Sequence, residues 1–275
     1  MNLREIVALA LAEDIGPGDL TSEAVIPSEA QARGVFLAKA PGVMAGLAAA
    51  AECLRQVDSR LAFQPLVGEG QAFAAGEQLA VVSGAARSIL TAERVALNFL
   101  QRLCGVATLT REFVNRISGS GARIVDTRKT TPGLRGLEKA AVRAGGGFNH
   151  RFALYDGILL KDNHVAVAGG VAQAVAAARD AAPHTLRIEV EVTNLQQLAE
   201  ALEAGAEVAL LDNMAVNEMR QAVALAGGKM LLEASGGVNL ENVAEIAATG
   251  VDLISVGALT HSARAVDISL EVQPL

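Results

Sequence analysis

A group of basic residues occupies one short stretch of an otherwise apolar, acidic chain. Its members are Arg128, Lys129, His150, Arg151 and Lys161. An arginine guanidinium binds a carboxylate or phosphate through two parallel hydrogen bonds, whereas a lysine ammonium acts as a mobile point charge. The group therefore predicts a site for a small ligand with several negative charges. A solvated basic loop without a ligand is the alternative that these residues alone leave open.

Acidic residues form a second pattern further along the chain. Residues 187–192 alternate charged with apolar, which places Glu189 and Glu191 on one face of a predicted strand. If helices cover the other face, the carboxylates point into the interior and need cations there. Glu191 and Asp212, at the ends of two successive strands, suit a Mg²⁺ that is shared with substrate phosphates. A solvent-exposed edge strand is the alternative.

Two segments of small residues complete the candidate chemistry. They are Ser235-Gly236-Gly237 and Val256-Gly257-Ala258. Small residues allow backbone N–H groups and a following helix N-terminus to approach an anion closely. These segments predict a phosphate site, although glycines that merely form turns are an equal alternative.

A repeated pattern of short apolar runs positions these residues. The runs are Ala122–Thr127, Gly157–Leu160, Leu186–Val192, Val208–Leu211, Met230–Leu232 and Leu253–Val256, with helical stretches between them and glycines that end helices at Gly205 and Gly250. Such a repeat is typical of a parallel sheet covered by helices, in which the active site lies at the carboxyl ends of the strands. A full eight-stranded barrel takes about 250 residues, so an abbreviated barrel fits better.

Composition restricts the class of protein. The chain has 275 residues, 51% of them hydrophobic and 19% charged, with a net charge of −7, which argues against disorder and against nucleic-acid binding. Cys53 and Cys104 are far apart in sequence, so a disulfide framework or a zinc site is not expected. No apolar run reaches the length of a membrane span, and the N-terminus lacks a signal-peptide pattern. We expect a cytoplasmic protein with no nucleic-acid or membrane partner.

The order and spacing of the segments resemble the quinolinate phosphoribosyltransferase family. The N-terminal signature corresponds to Glu13–Ser22, the interdomain helix to Ala92–Asn98 and Arg102–Thr108, and the catalytic core to Asp126–Arg135, Gly145–Arg151 and Tyr155–His164. Further matching segments are Glu189–Val192, Leu211–Met214, Glu233–Gly237 and Ser255–Gly257. The resemblance extends over the whole chain.

The resemblance implies an α/β fold with two domains. An N-terminal α/β sandwich is expected over residues 1–106, joined by residues 266–275, and an incomplete, seven-stranded α/β barrel over residues 107–265. It also implies a Mg²⁺-dependent pentosyltransferase that converts quinolinate and phosphoribosyl pyrophosphate to nicotinate mononucleotide, pyrophosphate and CO₂ in de novo NAD biosynthesis. Members of the family are homodimers in which one subunit's sandwich covers the other's barrel mouth; a higher oligomer stays open.

The resemblance assigns roles to individual residues as well. Arg94 would enter the partner's site, while the carboxylates and part of the pyrophosphate would be bound by Arg128, Lys129, His150, Arg151 and Lys161. Glu191 and Asp212 would face the ribose hydroxyls and Mg²⁺. The 5′-phosphate would be surrounded by Ser235, Gly236, Gly237, Val256, Gly257 and His261. The groups expected to act on the reacting centre are Lys129, Lys161, Glu191 and Asp212, none of them as a nucleophile.

Three other functions fit parts of this pattern. One is a paralogue of the same fold associated with molybdenum transport, which the complete carboxylate-binding set disfavours. Another is a Schiff-base aldolase that uses Lys129 or Lys161, whose cationic neighbours would lower a lysine pKa. The third is a barrel that binds phosphoribosyl pyrophosphate without turnover and has no use for Arg94.

Overall fold

A computed structural model describes residues 2–275, and these residues divide into two compact units. The first unit combines the chain up to Arg111 with Thr130–Gly146 and Thr260–Leu275. The second comprises Glu112–Lys129 and Gly147–Leu259. The domain boundaries expected from the sequence stay a prediction.

The first unit contains a four-stranded antiparallel sheet. Its strands are β1 (Gln31–Ala38), β3 (Ala62–Pro65), β5 (Gln78–Ala85) and β12 (Ile268–Pro274), in the order β12-β1-β5-β3. Short strands β2 (Gly42–Val43) and β4 (Ala72–Phe73) form a separate ladder. Buried residues alternate along β1, and the Phe36 ring meets Phe63 edge to face, with centroids 5.9 Å apart. One face of this sheet is therefore packed.

Helices of the first unit are α1 (Leu3–Ile15), α2 (Leu20–Val25), α3 (Leu47–Val57) and α5 (Arg135–Ala144). The long helix α4 (Ala86–Arg116) runs from the first unit into the second. A capping box begins α1: the Asn2 side chain accepts the backbone N–H of Glu5, whose carboxylate accepts the N–H of Asn2. Apolar residues of α4 such as Leu97, Leu100 and Leu103 are buried, so packing stabilises this helix.

The second unit contains a six-stranded parallel sheet. The strands are β6 (Arg123–Val125), β7 (Ile158–Leu160), β8 (Ile188–Val192), β9 (Val208–Asp212), β10 (Leu231–Ser235) and β11 (Leu253–Ser255), in the order β6-β11-β10-β9-β8-β7. Its helices are α6 (Asp162–Ala168), α7 (Val171–Ala181), α8 (Leu195–Glu203), α9 (Val216–Ala226), α10 (Val243–Ala247) and, at the boundary of the units, α11 (Ala258–His261). The predicted abbreviated α/β barrel is confirmed.

A seventh segment of the sheet is reduced to a single bridge. Phe148 pairs in parallel with Val125 of β6: its N–H donates to Ile124 at 2.8 Å, and its carbonyl accepts the N–H of Asp126 at 3.1 Å. The six regular strands agree with the sequence pattern, and this bridge stands beside them where the resemblance implied a seventh strand. It also brings residues 149–151 to the carboxyl end of β6.

The alternation of residues 187–192 has the predicted outcome. Strand β8 lies between β7 and β9, so the alternative of an exposed edge strand is wrong. Ile188, Val190 and Val192 are buried on one face, while Glu189 and Glu191 face the interior cavities of the barrel. The carboxylates therefore need partners inside the unit.

Two glycines end helices where the sequence predicts. Gly205 has φ of 82° just after α8, and Gly250 has φ of 95° just after α10. This left-handed conformation is strained for other residues, so glycine terminates the helix and turns the chain into the next strand.

The state of the cysteines and the character of the helices both bear on expectations from the sequence. Cys53 and Cys104 are free thiols, and burial raises the pKa of each to about 12. Among residues 2–275, no helix combines the length and the apolar character needed to cross a bilayer.

Candidate active site

A cavity of about 530 Å³ opens at the carboxyl ends of the parallel strands in the second unit. Its charged lining consists of Arg128, Lys129, His150, Arg151, Lys161, Glu191, Asp212 and Glu233, and Ser235, Gly236 and Gly237 complete one side. The predicted basic group, acidic pair and first small-residue segment therefore converge on one cavity. The alternative of a solvated basic loop does not describe this arrangement.

A wider depression of about 1060 Å³ lies at the opposite, amino ends of the strands. Its carboxylate Glu207 is already bound by Arg179, 2.8 Å away, and by the backbone N–H of Ile188. Volume alone would favour this depression, but catalytic residues of α/β barrels lie at the carboxyl ends of the strands. We therefore place the site in the smaller cavity.

The arginines of the site are half-buried and close to each other. Burial lowers the pKa of Arg151, and the nearby positive charge of Arg128 lowers it further. Glu189 and Asp156 act in the opposite direction. The Arg151 guanidinium also donates to the carbonyl of Gly157 at 2.9 Å, which orients it. Each of these two adjacent guanidinium groups can form two parallel hydrogen bonds to a carboxylate.

Lysine side chains at the rim are more exposed than the arginines. Lys161 follows β7, and its Nζ lies 3.5 Å from Glu191 Oε2. Its backbone N–H donates to Nδ1 of His164 at 2.9 Å, which anchors the first turn of α6. Lys129 follows β6, where its backbone N–H donates to the Thr127 hydroxyl at 3.0 Å. Both ammonium groups can adjust to a bound anion.

A buried aspartate holds the segment that carries His150. Asp126 is fully buried, and its carboxylate accepts the backbone N–H of His150 at 2.9 Å and the side-chain amide of Asn149 at 2.5 Å. The segment of residues 149–151 is thereby fixed beside the end of β6.

Below the mouth of the cavity lies a cluster of His150, Glu189 and Glu233, here called the buried triad. Nε2 of His150 is 3.0 Å from Glu189 Oε2 and 3.6 Å from Glu233 Oε2. Only 1% of the Glu233 side chain is exposed. Burial, followed by the charge of Glu189, raises the pKa of Glu233 to about 7, although His150 lowers it. Nε2 of His150 is therefore the partner inside the unit that the strand pattern required for Glu189.

The small-residue side of the cavity depends on close packing between two loops. Asn213 has φ of 53°, unusual for a residue other than glycine, and its N–H donates to Ser235 at 2.9 Å. A Cβ on Gly236 would lie only 2.2 Å from Asn213 Oδ1, and Gly236 has φ of 90°. Glycine is therefore required here. The Asn213 amide also donates to Asp212 Oδ2 at 2.9 Å.

Comparison with known proteins identifies the family. The model of the quinolinate phosphoribosyl transferase C-terminal domain matches residues 106–271, and the model of the N-terminal domain matches residues 19–104. The chain belongs to the quinolinate phosphoribosyl transferase family.

Relatives with curated names agree with this result. A probable nicotinate-nucleotide pyrophosphorylase [carboxylating] of Bacillus subtilis is 44% identical over 99% of this chain and 94% of the relative. The nicotinate-nucleotide pyrophosphorylase [carboxylating] of Mycobacterium leprae is 45% identical over 98% and 96%. The crystal structure of NadC from Streptococcus pyogenes superimposes with a TM-score of 0.96 at 39% identity, covering 99% of this chain and 97% of that one.

Not every residue assigned by resemblance to this phosphoribosyl transferase family lines the cavity. Val256 is buried, and its N–H donates to Val125 at 3.0 Å. Gly257 follows it at the end of β11 and is half-buried. Arg94 and His261 are exposed residues of the first unit, and His261 Nδ1 lies 2.6 Å from the Ser262 hydroxyl.

Glu233 and Asp126 stand at predicted strand ends, but sequence analysis gave neither residue a role in the site. Glu233 stands between the apolar residues Leu232 and Ala234, so the alternation that identified Glu189 also marks an inward carboxylate on β10. For Asp126 the sequence offers only its place at the end of a strand. Its role arises from the pairing of Phe148 with β6.

Proposed function

We propose that this chain is the decarboxylating quinolinate phosphoribosyltransferase of de novo NAD biosynthesis. It transfers a phosphoribosyl group from phosphoribosyl pyrophosphate to quinolinate, giving nicotinate mononucleotide, pyrophosphate and CO₂. The observation that carries this proposal is the convergence of paired guanidinium groups and paired carboxylates on one barrel-mouth cavity, in a chain of this family.

The quinolinate subsite lies on the basic side of the cavity. Arg128 and Arg151 bind the two ring carboxylates, because each guanidinium can form two parallel hydrogen bonds to one carboxylate. His150 lies between Arg151 and the buried triad carboxylates and contributes to the floor of this subsite. Binding both carboxylates holds the ring nitrogen in one orientation, which supplies much of the catalytic effect.

The ribose and its pyrophosphate lie on the acidic side. Departure of pyrophosphate leaves positive charge at the ribose C1 carbon, and Glu191 and Asp212 stabilise that charge and bind the hydroxyls. Lys129 and Lys161 neutralise the leaving pyrophosphate. Lys161 lies 3.5 Å from Glu191, so the lysine and the carboxylate are already paired across this part of the cavity.

The carboxylate oxygens of Glu191 and Asp212 are also suitable ligands for a divalent cation. Both carboxylates line the same cavity at the ends of adjacent strands, and oxygen ligands are those that Mg²⁺ prefers. When bound with the substrate, Mg²⁺ neutralises charge on the pyrophosphate. We therefore include Mg²⁺ as the cofactor.

The 5′-phosphate binds against small residues at the ends of β10 and β11. Ser235, Gly236 and Gly237 line the cavity, and the two glycines have no side chains of their own to keep an anion from their backbone. Val256, Gly257 and His261 belong to the same proposed subsite. The N–H of Val256 already donates to the Val125 carbonyl, so Val256 supports this subsite by packing and does not itself bind the phosphate.

Loss of CO₂ follows from the first step. Once the pyridine nitrogen has bonded to ribose, its positive charge stabilises the electron pair that the departing CO₂ leaves on the ring carbon. A proton from water then bonds to that carbon, which gives nicotinate mononucleotide. No side chain has to act as a nucleophile, so the lysines serve as electrostatic groups. A Schiff-base reaction is not needed.

The assembly and location are further parts of the proposal. We propose a homodimer in which Arg94, an exposed residue of α4, completes the partner's site. We also propose that the protein works in the cytoplasm, where its two buried thiols stay reduced.

An absorbance assay tests the function directly. Purified protein is mixed with quinolinate, phosphoribosyl pyrophosphate and Mg²⁺, and in parallel with nicotinate as the pyridine. We expect turnover with quinolinate alone, because nicotinate lacks the second carboxylate. Binding of phosphoribosyl pyrophosphate without any product would instead favour a sensor, and substrate trapped by borohydride on a lysine would favour an aldolase.

A further inference from the structure

His150 is held on three sides by protein groups. Its backbone N–H donates to Asp126 Oδ1 at 2.9 Å, and its Nδ1 accepts the backbone N–H of Arg151 at 2.7 Å. A neutral imidazole has one donor and one acceptor nitrogen, so its proton must be on Nε2. Nε2 faces Glu189 at 3.0 Å. The Arg151 N–H therefore fixes the tautomer, and the Glu189 carboxylate accepts from Nε2 and holds the orientation of the ring.

Glu189 has a second relation to the cavity. Burial lowers the pKa of Arg151, and the positive charge of Arg128 lowers it further; of the two carboxylates that raise this pKa, Glu189 has the larger effect. Like charges that lie together in a partly buried site need a nearby opposite charge until the ligand arrives. Glu189 supplies such a charge to Arg151.

Glu233 approaches the same ring nitrogen, with its Oε2 atom 3.6 Å from Nε2. Among residues 2–275, neither of its carboxylate oxygens has a hydrogen-bond partner at normal distance. His150, Arg151 and Glu233 also line a second cavity of about 320 Å³, which reaches the triad from the other side. The triad therefore lies between two cavities. Empty space on both sides would allow the imidazole ring to move, so both carboxylates are needed to hold it in place.

We propose that Glu189 and Glu233 are positioning residues of the quinolinate subsite, an inference that rests on the proposed function. Glu189 holds His150 through Nε2 and balances the charges of Arg128 and Arg151. Glu233 confines the ring beside Glu189, where its carboxylate lies 3.6 Å from Nε2. Both act through the residues that bind the pyridine dicarboxylate, so their loss weakens quinolinate binding and spares phosphoribosyl pyrophosphate.

Steady-state kinetics of three variants test the proposal. Glu189→Gln should raise the KM for quinolinate about tenfold or more, as loss of an orienting partner does at other histidine sites, with the KM for phosphoribosyl pyrophosphate nearly unchanged. Glu233→Ala should also raise the KM for quinolinate, because the His150 imidazole is then no longer held in place. Glu233→Gln, which restores the shape without a charge, should rescue most of the loss.

Glu207→Gln is the matched control. It removes a carboxylate at the amino end of β9, where Glu207 binds Arg179 and the Ile188 N–H, so it should lower the Tm without changing the KM for quinolinate. An unchanged KM for quinolinate in folded Glu189→Gln would overturn the proposal. So would an equal rise in the KM values of both substrates.

Nitrogen NMR of the substrate-free protein separates this proposal from the proposed function. The chain has four histidines, and a His150→Asn variant identifies the ring signals of interest. We expect the Nε2–H tautomer in the wild type and an altered spectrum in Glu189→Gln. A wild-type Nδ1–H tautomer would overturn the triad whatever the enzyme does. Failure to convert quinolinate would instead overturn the function, whatever the tautomer.

Discussion

At the scale of single residues, the site combines groups whose charges constrain one another. Arg128 and Arg151 lie together, Glu189 offsets their repulsion, and Glu233 lies beside Glu189 in a setting that disfavours a second negative charge. Each side chain is common on its own, and the chemistry depends on their proximity. Predictions at this scale therefore concern single changes of charge or shape.

Arg128→Ala should abolish activity while the fold stays intact. The variant removes one of two guanidinium groups for the substrate carboxylates, and we expect kcat/KM to fall by at least about a hundredfold, the effect of losing about 2.7 kcal/mol of transition-state stabilisation. Arg128→Lys should recover little, because an ammonium cannot form the bidentate pair. Arg220→Ala, which removes an exposed arginine on α9 that contacts Asn217, is the control. A variant that keeps most of its kcat/KM would contradict the assignment.

Glu233 should make stability depend on pH in a defined window. Its folded-state pKa of about 7 lies above its ordinary value of 4.5, so the folded protein holds the proton more tightly than the unfolded chain. The resulting stability is present below pH 4.5 and is lost as the pH rises through about 7, with a slope approaching about 1.4 kcal/mol per pH unit. Denaturant titrations of wild type and Glu233→Gln should diverge over this window. Parallel curves would show that Glu233 is already ionised.

At the scale of secondary-structure elements, parallel strands bring distant residues to one edge. The carboxyl ends of β6 to β11 meet at the cavity mouth. The helices between these strands bury alanine, valine and leucine side chains. Loops at this mouth then determine the detailed shape. At Asn213 and Gly236 the loops after β9 and β10 pack so closely that a Cβ on Gly236 would clash with the Asn213 amide.

Gly236→Ala should therefore damage the phosphate side of the cavity. A Cβ would lie 2.2 Å from Asn213 Oδ1, so the loops must separate. We expect a loss of stability of about 1–3 kcal/mol together with a raised KM for phosphoribosyl pyrophosphate. Gly228→Ala is the matched control, since Gly228 has φ of 77° with nothing within 4 Å of its Cβ position. An equal effect of both variants would mean that backbone strain alone, and not the loop contact, explains the loss.

At the scale of the whole molecule, an ion pair between a half-buried arginine and a fully buried carboxylate joins three separate chain segments of the first unit. Arg102 on α4 pairs with Glu138 of α5 at 2.7 Å and donates to the carbonyls of Thr260 and Ala263. Glu138 is fully buried and also accepts from Thr131. Contacts like this can form only after segments far apart in sequence have met.

Glu138→Ala should destabilise the fold strongly. It leaves the charge of Arg102 without its carboxylate, a loss that amounts to about 3–5 kcal/mol for a buried pair. Lys39→Ala, which breaks the exposed pair with Glu271, should change stability by less than about 1 kcal/mol. Urea unfolding monitored by circular dichroism measures both. Similar small losses would show that Arg102 finds other partners.

Mixing two inactive variants tests the proposed dimer. If Arg94 completes the partner's site, a heterodimer of Arg94→Ala and Arg128→Ala subunits has one intact site out of two. Refolding an equal mixture should then restore about a quarter of wild-type activity, because half of the dimers are mixed. Zero recovery in a mixture shown to exchange subunits would place Arg94 in its own subunit's site.

The sequence by itself was sufficient for the family, the reaction and the parallel sheet of the second unit. Alternation in residues 187–192, the repeated strand runs and the glycines at 205 and 250 express local periodicity and backbone conformation, which short segments of chain already determine. The predicted strand ends also identified a set of residues of one cavity, namely Arg128, Arg151, Lys161, Glu191 and Asp212.

Only the tertiary structure decided how these groups are paired. The partner of Glu189 is His150, brought to it by a single bridge at Phe148, and Glu233 joins them from a strand much further along the chain. Sequence spacing cannot predict such pairs, since they depend on strand order and on the angle at which each side chain enters the barrel. Burial then sets their charges: the pKa of Glu233 rises because the fold removes water from it and places Glu189 beside it.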